Sequence, residues 1–408
     1  MRRSSSLLTR LAGVAAGVVL AAATVLVAAL PAQAATLTQV TGFGSNPGNL
    51  AMYAYRPDGL PANAPAVVLL HGCTQNATTY FTNSGWQKYA DQWKFALIVP
   101  QQPSANNANS CFNWFETGDT ARGQGEALSV KQMVDYAKAN YSVDGSRVYV
   151  SGLSAGAAMS AVMLATYPDV FAAGSVIAGL PYRCATSMTN AFSCMNPGVD
   201  KTPAQWGDLV RNAYAGYTGK RPRVAIWHGT SDTTVAPLNA AESRDQWTNV
   251  LGVSQTPTST ASLPAGTSLE VYGSDQVRLY RVSGMGHGTP VDPGSAADQC
   301  GTAGAYFLDT ICSTYRDALF FGLNGGSTPS PTPTATASPS PTPTPSPTPT
   351  TAPVCVTASN YAHVTAGRAY QSGGYAYALG SNQRMGLYNT FYTSTLKQTG
   401  PAYWVIGC

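Results

Sequence analysis

Charged side chains are scarce in this chain of 408 residues, because Asp, Glu, Lys and Arg make up only 10% of it. An average soluble protein has about 25%. The formal net charge is +4, but Arg2, Arg3 and Arg10 lie in a segment that we expect to be removed, which leaves +1. No basic patch remains to attract nucleic acid or an anionic membrane, so we expect neither as a partner.

The spacings typical of zinc sites are also missing, since the sequence has no Cys-x-x-Cys and no His-x-x-x-His pair. We therefore expect no metal and no cofactor. The eight cysteines are an even number, which in an exported chain indicates four disulfides, although sequence alone leaves their pairing open. The nearest-neighbour hypothesis pairs Cys73–Cys111, Cys184–Cys194, Cys300–Cys312 and Cys355–Cys408.

The N-terminus has the features of an export signal. A positive start is followed by an apolar run from Leu11 to Leu30, and the residues Ala32-Gln33-Ala34 then provide a cleavage site between small side chains. A permanent anchor is the alternative, because about 20 apolar residues can span a bilayer. The adjacent cleavage site favours removal, so we interpret residues 1–35 as a signal peptide and expect a secreted, extracellular protein with no membrane contact after cleavage.

The segment 325–353 is the clearest domain boundary. It consists mainly of Ser, Thr and Pro in near alternation and contains no charged residue. Such a composition cannot bury a core and favours extended, polyproline-like conformations. We interpret it as a linker between a large domain at 36–324 and a small module at 354–408, and we expect the chain to be a monomer.

The large domain alternates short apolar segments with longer helical patterns. Five segments look like buried strands, at 66–70, 95–99, 147–150, 224–227 and 277–282, and a helix is indicated between the second and third by apolar residues at helical spacing. This alternation predicts an α/β fold, a parallel sheet covered by helices. Ligands bind at the carboxyl ends of the strands in such sheets.

One of these strand ends carries the motif Gly-x-Ser-x-Gly, at Gly152, Ser154 and Gly156. The strand before it and the small-residue helix after it form the context of the nucleophile elbow of α/β-hydrolases. The glycines are needed because Cβ atoms two residues on either side of the serine would collide with neighbouring backbone. We therefore predict that Ser154 is a nucleophile.

A serine hydroxyl needs a base to take its proton. The chain has only four histidines. His71 precedes Ser154, His228 is four residues before the acid candidate, and His363 lies beyond the linker, so His287 in its glycine-rich loop after the last strand is the predicted base.

The third member of such a triad is a carboxylate that orients the histidine and stabilises the imidazolium. Asp232 follows the strand 224–227 and lies between Ser154 and His287 in the chain. Asp275 and Asp292 are alternatives, but neither follows a strand. The order Ser, Asp, His is the one that this fold uses.

An oxyanion needs two backbone donors in fixed positions. The amide of Ala155, directly after the nucleophile, is the first by position. The second is expected in the loop after the strand 66–70, where we choose Cys73, with Gly72 permitting the turn. A disulfide between Cys73 and Cys111 would hold that loop in place.

These segments resemble the extracellular poly(3-hydroxybutyrate) depolymerase family, which also contains feruloyl and acetylxylan esterases. The resemblance rests on residues 71–73, 111–114, 152–156, 227–232 and 286–288 and covers most of 36–324. It implies the α/β-hydrolase fold, triad roles for Ser154, Asp232 and His287, and an oxyanion role for the segment of His71. It also implies that His71 and Trp114 contact the substrate, although a buried core position is nearly as plausible for Trp114.

The module bracketed by Cys355 and Cys408 contains no Asp or Glu and nine large aromatic residues. It is similar to the substrate-binding domain that ends many of these depolymerases, and so short a unit needs a disulfide because its core is small. We therefore predict a serine esterase acting on an insoluble polymer, preferably poly(3-hydroxybutyrate). The alternatives are esters of plant xylan as the substrate, with the module binding polysaccharide, or an inactive hydrolase domain serving adhesion.

Overall fold

A computed structural model describes residues 35–325 and 355–408, apart from 373 and 401–402. These residues divide into two units, which we call the larger unit (35–325) and the C-terminal module (355–408). The expected signal peptide and linker lie almost entirely outside the described residues, so they and the domain boundaries stay predictions. Among the helices that are described, none is long and apolar enough to cross a bilayer.

A sheet of ten strands forms the centre of the larger unit. Its strands are β1 (Thr38–Val40), β2 (Ala51–Tyr55), β3 (Ala64–Leu70), β4 (Ala96–Gln101), β5 (Val143–Leu153), β6 (Ala173–Ile177), β7 (Arg223–Gly229), β8 (Ser259–Leu263), β9 (Thr267–Tyr272) and β10 (Val277–Val282). They are ordered β1-β2-β4-β3-β5-β6-β7-β10-β9-β8. The strands from β4 to β10 in this order pair in parallel, and those outside them pair antiparallel.

The sheet is therefore mixed, with a parallel centre, where the sequence predicted a parallel sheet. All five predicted strands lie within or overlap strands of this sheet. The edge hairpin of β8 and β9 was not predicted, because its exposed residues are mostly Ser, Thr and Ala without an apolar run. It turns at Pro264, whose carbonyl accepts the amide of Thr267 at 3.2 Å.

Eight helices of the larger unit cover the two faces of this sheet. They are α1 (Ala77–Asn83), α2 (Trp86–Trp93), α3 (Gly125–Asn140), α4 (Ala155–Thr166), α5 (Met188–Met195), α6 (Pro203–Ala213), α7 (Leu238–Leu251) and α8 (Ser313–Phe321). Two short strands, β11 (Thr289–Val291) and β12 (Phe307–Asp309), pair in parallel outside the main sheet.

Side chains of the central strands point alternately to the two faces, as the two-residue period of a strand requires. In β3, Val68 and Leu70 pack in one core with α3, α4 and α7, whereas Val67 and Leu69 pack in the other with α1, α2 and α8. All twelve residues of α4 are buried. A helix that is buried all round cannot shift without disturbing both neighbours, so the start of α4 is held firmly against the sheet.

The C-terminal module contains two three-stranded sheets and one short helix. Its elements are β13 (Cys355–Ser359), α9 (Asn360–Thr365), β14 (Ala369–Ser372), β15 (Tyr375–Ala378), β16 (Arg384–Leu387), β17 (Thr393–Gly400) and β18 (Tyr403–Ile406). The sheets are ordered β13-β17-β18 and β14-β15-β16. Six buried apolar residues form its core, namely Ala369, Ala376, Ala378, Met385, Leu396 and Trp404.

Candidate active site

Ser154 lies in the one-residue turn between β5 and α4. Its backbone has φ 56° and ψ −116°, in the positive-φ region that residues other than glycine rarely adopt. A Cβ at Gly152 would lie 2.4 Å from the carbonyl oxygen of Gly156, and a Cβ at Gly156 would lie 2.2 Å from that of Leu70. Both positions therefore require glycine, and together they allow the sharp turn that lifts the serine above the sheet.

His287 and Asp232 come together from the loops after β10 and β7. Nδ1 of His287 donates a hydrogen bond to Oδ2 of Asp232 at 2.7 Å. The two loops meet closely at Gly229, where a Cβ would lie 2.2 Å from the carbonyl oxygen of Met285. With Nδ1 as the donor, Nε2 is the nitrogen that can accept a proton.

The carboxylate of Asp232 is buried and fully used by its neighbours. Oδ1 accepts the amides of Thr234 and Val235, both at 2.9 Å, and Oδ2 contacts His287 and, at 3.4 Å, Nε2 of His228. Burial alone would raise the pKa of Asp232, but the hydrogen bonds with His228 and His287 outweigh it and hold that pKa well below its ordinary value. Asp232 is therefore ionised at neutral pH.

His228 is a second histidine at this carboxylate, and reasoning from the sequence set it aside. The residue is buried, and its Nε2 donates to the carbonyl oxygen of Val235 at 2.8 Å. It thus braces the turn that carries Asp232. The spacing of four residues between His228 and Asp232 was the available signal, but it does not reveal which atoms meet.

The amides predicted to bind the oxyanion are those of Cys73 and Ala155. Within the described residues, neither amide donates to another protein group, whereas the amides on either side of Cys73 are occupied. Gly72 donates to Oε1 of Gln75 at 2.9 Å, and Thr74 donates to the carbonyl of Asn109 at 2.7 Å. Ala155 is the first residue of α4, where an amide has no partner inside the helix.

His71 does not reach the cleft, which corrects the expectation that it contacts substrate. Its side chain has no exposed surface. Nδ1 lies 2.8 Å from the carbonyl of Gly72 and Nε2 accepts the amide of Gln102 at 3.1 Å, so both ring nitrogens are used inside the protein. Burial lowers the pKa of His71 to about 4 and keeps it neutral. It supports the loop that carries Cys73.

Trp114 is a core residue. This corrects the expected contact with substrate and favours the alternative, a buried core position. Only 7% of its surface is exposed. It packs edge-on against Phe115 and lies in a cluster with Ala155 and Ala158. The tryptophan therefore backs the start of α4 from inside.

A pocket at the carboxyl ends of the central strands brings the predicted nucleophile, base and oxyanion loop together. Its lining residues are Gly72, Cys73, Thr74, Gln75, Leu153, Ser154, Met195, Thr234, His287 and Tyr306. Met195 and Tyr306 were not predicted to line the pocket. Met195 ends α5 and Tyr306 lies in a loop, and the sequence around each of them contains no motif. The ring of Tyr306 stands edge-on to that of His287, with centroids 6.2 Å apart.

All four nearest-neighbour disulfides are present, as Cys73–Cys111, Cys184–Cys194, Cys300–Cys312 and Cys355–Cys408. Three of them surround the pocket. The first holds the predicted oxyanion loop, the second holds α5, which ends at Met195, and the third closes the loop that contains Tyr306. In the described part of the chain, no cluster of His, Cys, Asp or Glu could hold a metal ion.

A family model described as Esterase PHB depolymerase matches residues 50–270. The chain belongs to this family. The resemblance found in the sequence is thereby confirmed, and the chain is a carboxylic ester hydrolase with an α/β-hydrolase fold.

The names of similar proteins refer to different esters. Poly(3-hydroxyalkanoate) depolymerase C of Paucimonas lemoignei is 58% identical over 309 residues, which is 74% of each chain. Feruloyl esterase B of Thermothelomyces thermophilus is 42% identical over 267 residues, covering 64% of this chain and 90% of the relative. The solved structure of an acetyl xylan esterase from Aspergillus awamori is 31% identical, with a TM-score of 0.61. The match covers 71% of this chain and 99% of that structure's chain.

Proposed function

We propose that the chain is a secreted depolymerase that hydrolyses the ester bonds of poly(3-hydroxybutyrate), an insoluble polyester. The observation that carries this choice is the 58% identity to a poly(3-hydroxyalkanoate) depolymerase over 74% of both chains. The feruloyl and acetylxylan esterases compared with it are at most 42% identical and match a smaller part of this chain.

In the first half of the reaction, Ser154 attacks the ester carbonyl as its proton passes to Nε2 of His287. Asp232, held ionised by its hydrogen bonds, stabilises the imidazolium that results. The negative charge on the carbonyl oxygen is bound by the free amides of Cys73 and Ala155. The imidazolium then returns the proton to the leaving alkoxide, which departs as the alcohol end of the cut polymer and leaves a hydroxyacyl ester on Ser154.

In the second half, water takes the place of the departed alcohol. His287 removes a proton from this water as its oxygen attacks the acyl carbon, and the same two amides bind the oxyanion. Collapse of the intermediate returns the proton to Ser154 and releases the new carboxylic acid end, which then loses its remaining proton to solvent. No cofactor is needed for either half.

Secretion is supported by the cysteines and the N-terminus together. All eight cysteines pair, and none is free. Such pairing is typical of oxidising compartments. The positive start, apolar run and small-residue cleavage site at 1–35 provide a signal for export.

The C-terminal module is proposed to adsorb on the polymer. Phe391 is 88% exposed and Tyr392 is 52% exposed, and Oδ1 of Asn389 accepts both of their amides, which fixes the turn that presents them. Trp404 is instead buried, so part of the aromatic content fills the core. The absence of acidic residues suits an uncharged surface, and tethering raises the local concentration of polymer ester.

Xylan esters are the second candidate, because the acetyl xylan esterase structure and the feruloyl esterases are members of the same family. The test is turbidity clearing of a poly(3-hydroxybutyrate) suspension by the full chain, with acetylxylan and feruloylated arabinoxylan assayed in parallel. We expect clearing by the wild type and none by Ser154→Ala. Release of acetate or ferulate with an unchanged suspension would contradict the polyester proposal and support the second candidate.

A further inference from the structure

We propose that an apolar rim beside the catalytic pocket, made of Met188, Phe192, Leu238 and Tyr306, docks the larger unit directly on an uncharged aliphatic polyester surface. This inference rests on the proposed function and deepens it. It assigns polymer contact to the larger unit itself, in addition to any adsorption by the C-terminal module.

The distribution of exposed apolar side chains is the observation that carries the proposal. Among the described residues of the larger unit, four large apolar or aromatic side chains are exposed, and these are the four of the rim. Their exposed fractions are 48% for Met188, 66% for Phe192, 40% for Leu238 and 44% for Tyr306. Single exposed apolar residues are normal on a protein surface, but a cluster at one place indicates a binding surface.

Helix α5 connects this cluster to the pocket. Met188, Phe192 and Met195 are spaced four and three residues apart and so lie along one side of the helix. Met195 lines the catalytic pocket, whereas Ala191 and Cys194 on the adjacent side are buried. The apolar stripe therefore runs from the pocket wall outward along α5, and the Cys184–Cys194 disulfide holds the helix in place.

Leu238 extends the rim on the same side of the pocket. A Cβ added to Gly198, just after α5, would lie 3.1 Å from Cδ2 of Leu238. The amide of Ala236 donates to the carbonyl of Met195 at 2.8 Å and ties the two segments together. Leu238 and α5 thus form one surface.

Tyr306 provides the rim near the base of the triad. It lines the pocket with His287 and has φ 63°, an unfavourable value for a tyrosine. Its carbonyl accepts the amide of Thr289 at 2.8 Å, which holds this conformation. The pocket therefore has apolar or aromatic side chains at α5 and beside His287.

The charge of this region selects the kind of polymer. No charged residue occurs between Cys184 and Val199, the segment that contains α5. An uncharged aliphatic polyester can lose its water on such a surface without leaving a charge unpaired. A polysaccharide would place hydroxyl groups against the side chains of Met188, Phe192 and Leu238, which offer them no hydrogen-bond partner, so the rim favours polyester over xylan. One ester of the chain would enter the pocket while adjacent repeat units lie on the rim.

The test compares two lysine substitutions one residue apart on α5, both made in the full chain. Phe192→Lys interrupts the apolar stripe, whereas Ser193→Lys puts the same charge on an exposed position about 100° around the helix. The readout is the ratio of poly(3-hydroxybutyrate) clearing rate to hydrolysis rate of a soluble short-chain p-nitrophenyl ester. This ratio corrects for any loss of folded enzyme.

We expect the ratio to fall about tenfold in Phe192→Lys, because apolar contact with the polymer is lost, and to change less than about twofold in Ser193→Lys. Met188→Lys, one turn farther from the pocket, should lower the ratio in the same direction. Equal ratios for Phe192→Lys and the wild type would overturn the proposal that the rim docks on polyester, while leaving the depolymerase proposal standing. A wild type that cuts the soluble ester and xylan esters but never the polyester would overturn both.

Discussion

The two units of this protein differ in how many of their large aromatic side chains are buried. In the larger unit Trp86, Trp206 and Trp247 have no exposed surface. In the C-terminal module Phe391 is 88% exposed and Tyr392 is 52% exposed. The larger unit has a sheet covered on two faces and therefore two cores that can take such side chains, whereas the module has one small core.

This difference follows from the sizes of the two units, because a large unit can bury its aromatic side chains for stability whereas a small one leaves some of them exposed for binding. A unit of about fifty residues buries a smaller share of its surface than one of nearly three hundred, and usually needs a disulfide or another staple. The module closes its chain with Cys355–Cys408 and fills its core mainly with alanines and single larger residues. Its remaining aromatic side chains are available to contact the surface of a polymer. In the larger unit, exposed aromatic or apolar groups of this size occur at the pocket mouth.

The largest expected effect separates catalysis from adsorption. Ser154→Ala should lower the rate of soluble-ester hydrolysis by about 10⁶-fold, because no other group can form the acyl intermediate. The same variant should still bind polyester granules like the wild type, as measured by depletion of protein from the supernatant. Retained hydrolysis would show that the elbow serine is not the nucleophile.

A smaller loss is expected when the orienting carboxylate is neutralised. Asp232→Asn should lower kcat about 10⁴-fold, since the amide favours the wrong histidine tautomer. The pKa of Asp232 is lower in the folded chain than in the unfolded chain, so the ionised carboxylate stabilises the fold at pH values above the unfolded-state pKa. This contribution is lost as the pH falls toward the folded-state pKa. Urea unfolding between pH 3 and pH 6 should therefore show a weaker acid destabilisation in the variant, with Asp298→Asn, at an exposed carboxylate, as the control.

Substitution of one buried and one exposed aromatic sharpens the comparison directly. Trp247→Ala should destabilise the larger unit by about 3–5 kcal/mol, because it empties a fully buried site. Phe391→Ala should change stability by less than about 0.5 kcal/mol and instead weaken granule adsorption. Denaturant midpoints followed by ester hydrolysis and by circular dichroism measure the first, and granule depletion measures the second. Loss of stability in Phe391→Ala would place that ring in a core.

The module disulfide should matter to one unit alone. Replacing Cys355 and Cys408 with serine opens a link across 53 positions of the chain and should cost the module about 2–5 kcal/mol. Granule adsorption should fall while the rate on a soluble ester is retained. A parallel loss of soluble-ester hydrolysis would mean that the larger unit depends on the module for its folding.

Much of the fold was predictable because its central strands are apolar on both faces. The segments at 66–70 and 224–227 read directly as buried strands, and β3 and β7 contain them. β6 was missed because its residues, Ala173–Ile177, begin with small side chains of low strand propensity. The edge hairpin was missed because half-exposed polar strands have no apolar run.

The site was predictable to the extent that each group had a local signature. Ser154 has its glycines, and Asp232 and His287 each follow a strand, so their positions at one edge follow from the topology. His71 was misjudged because a histidine beside the oxyanion loop can point outward or inward, and only packing decides. Met195 and Tyr306 reach the pocket through disulfide-held segments, and nothing in their neighbours' identity indicates this.

Labelling with a fluorophosphonate, followed by peptide mass spectrometry, is the most direct test of Ser154 as the nucleophile for the polymer. We predict one labelled residue, Ser154, with clearing of polyester and hydrolysis of a soluble ester lost in proportion to the fraction labelled. Full labelling of Ser154 with polyester clearing still intact, or a label on a different serine, would contradict the proposed mechanism.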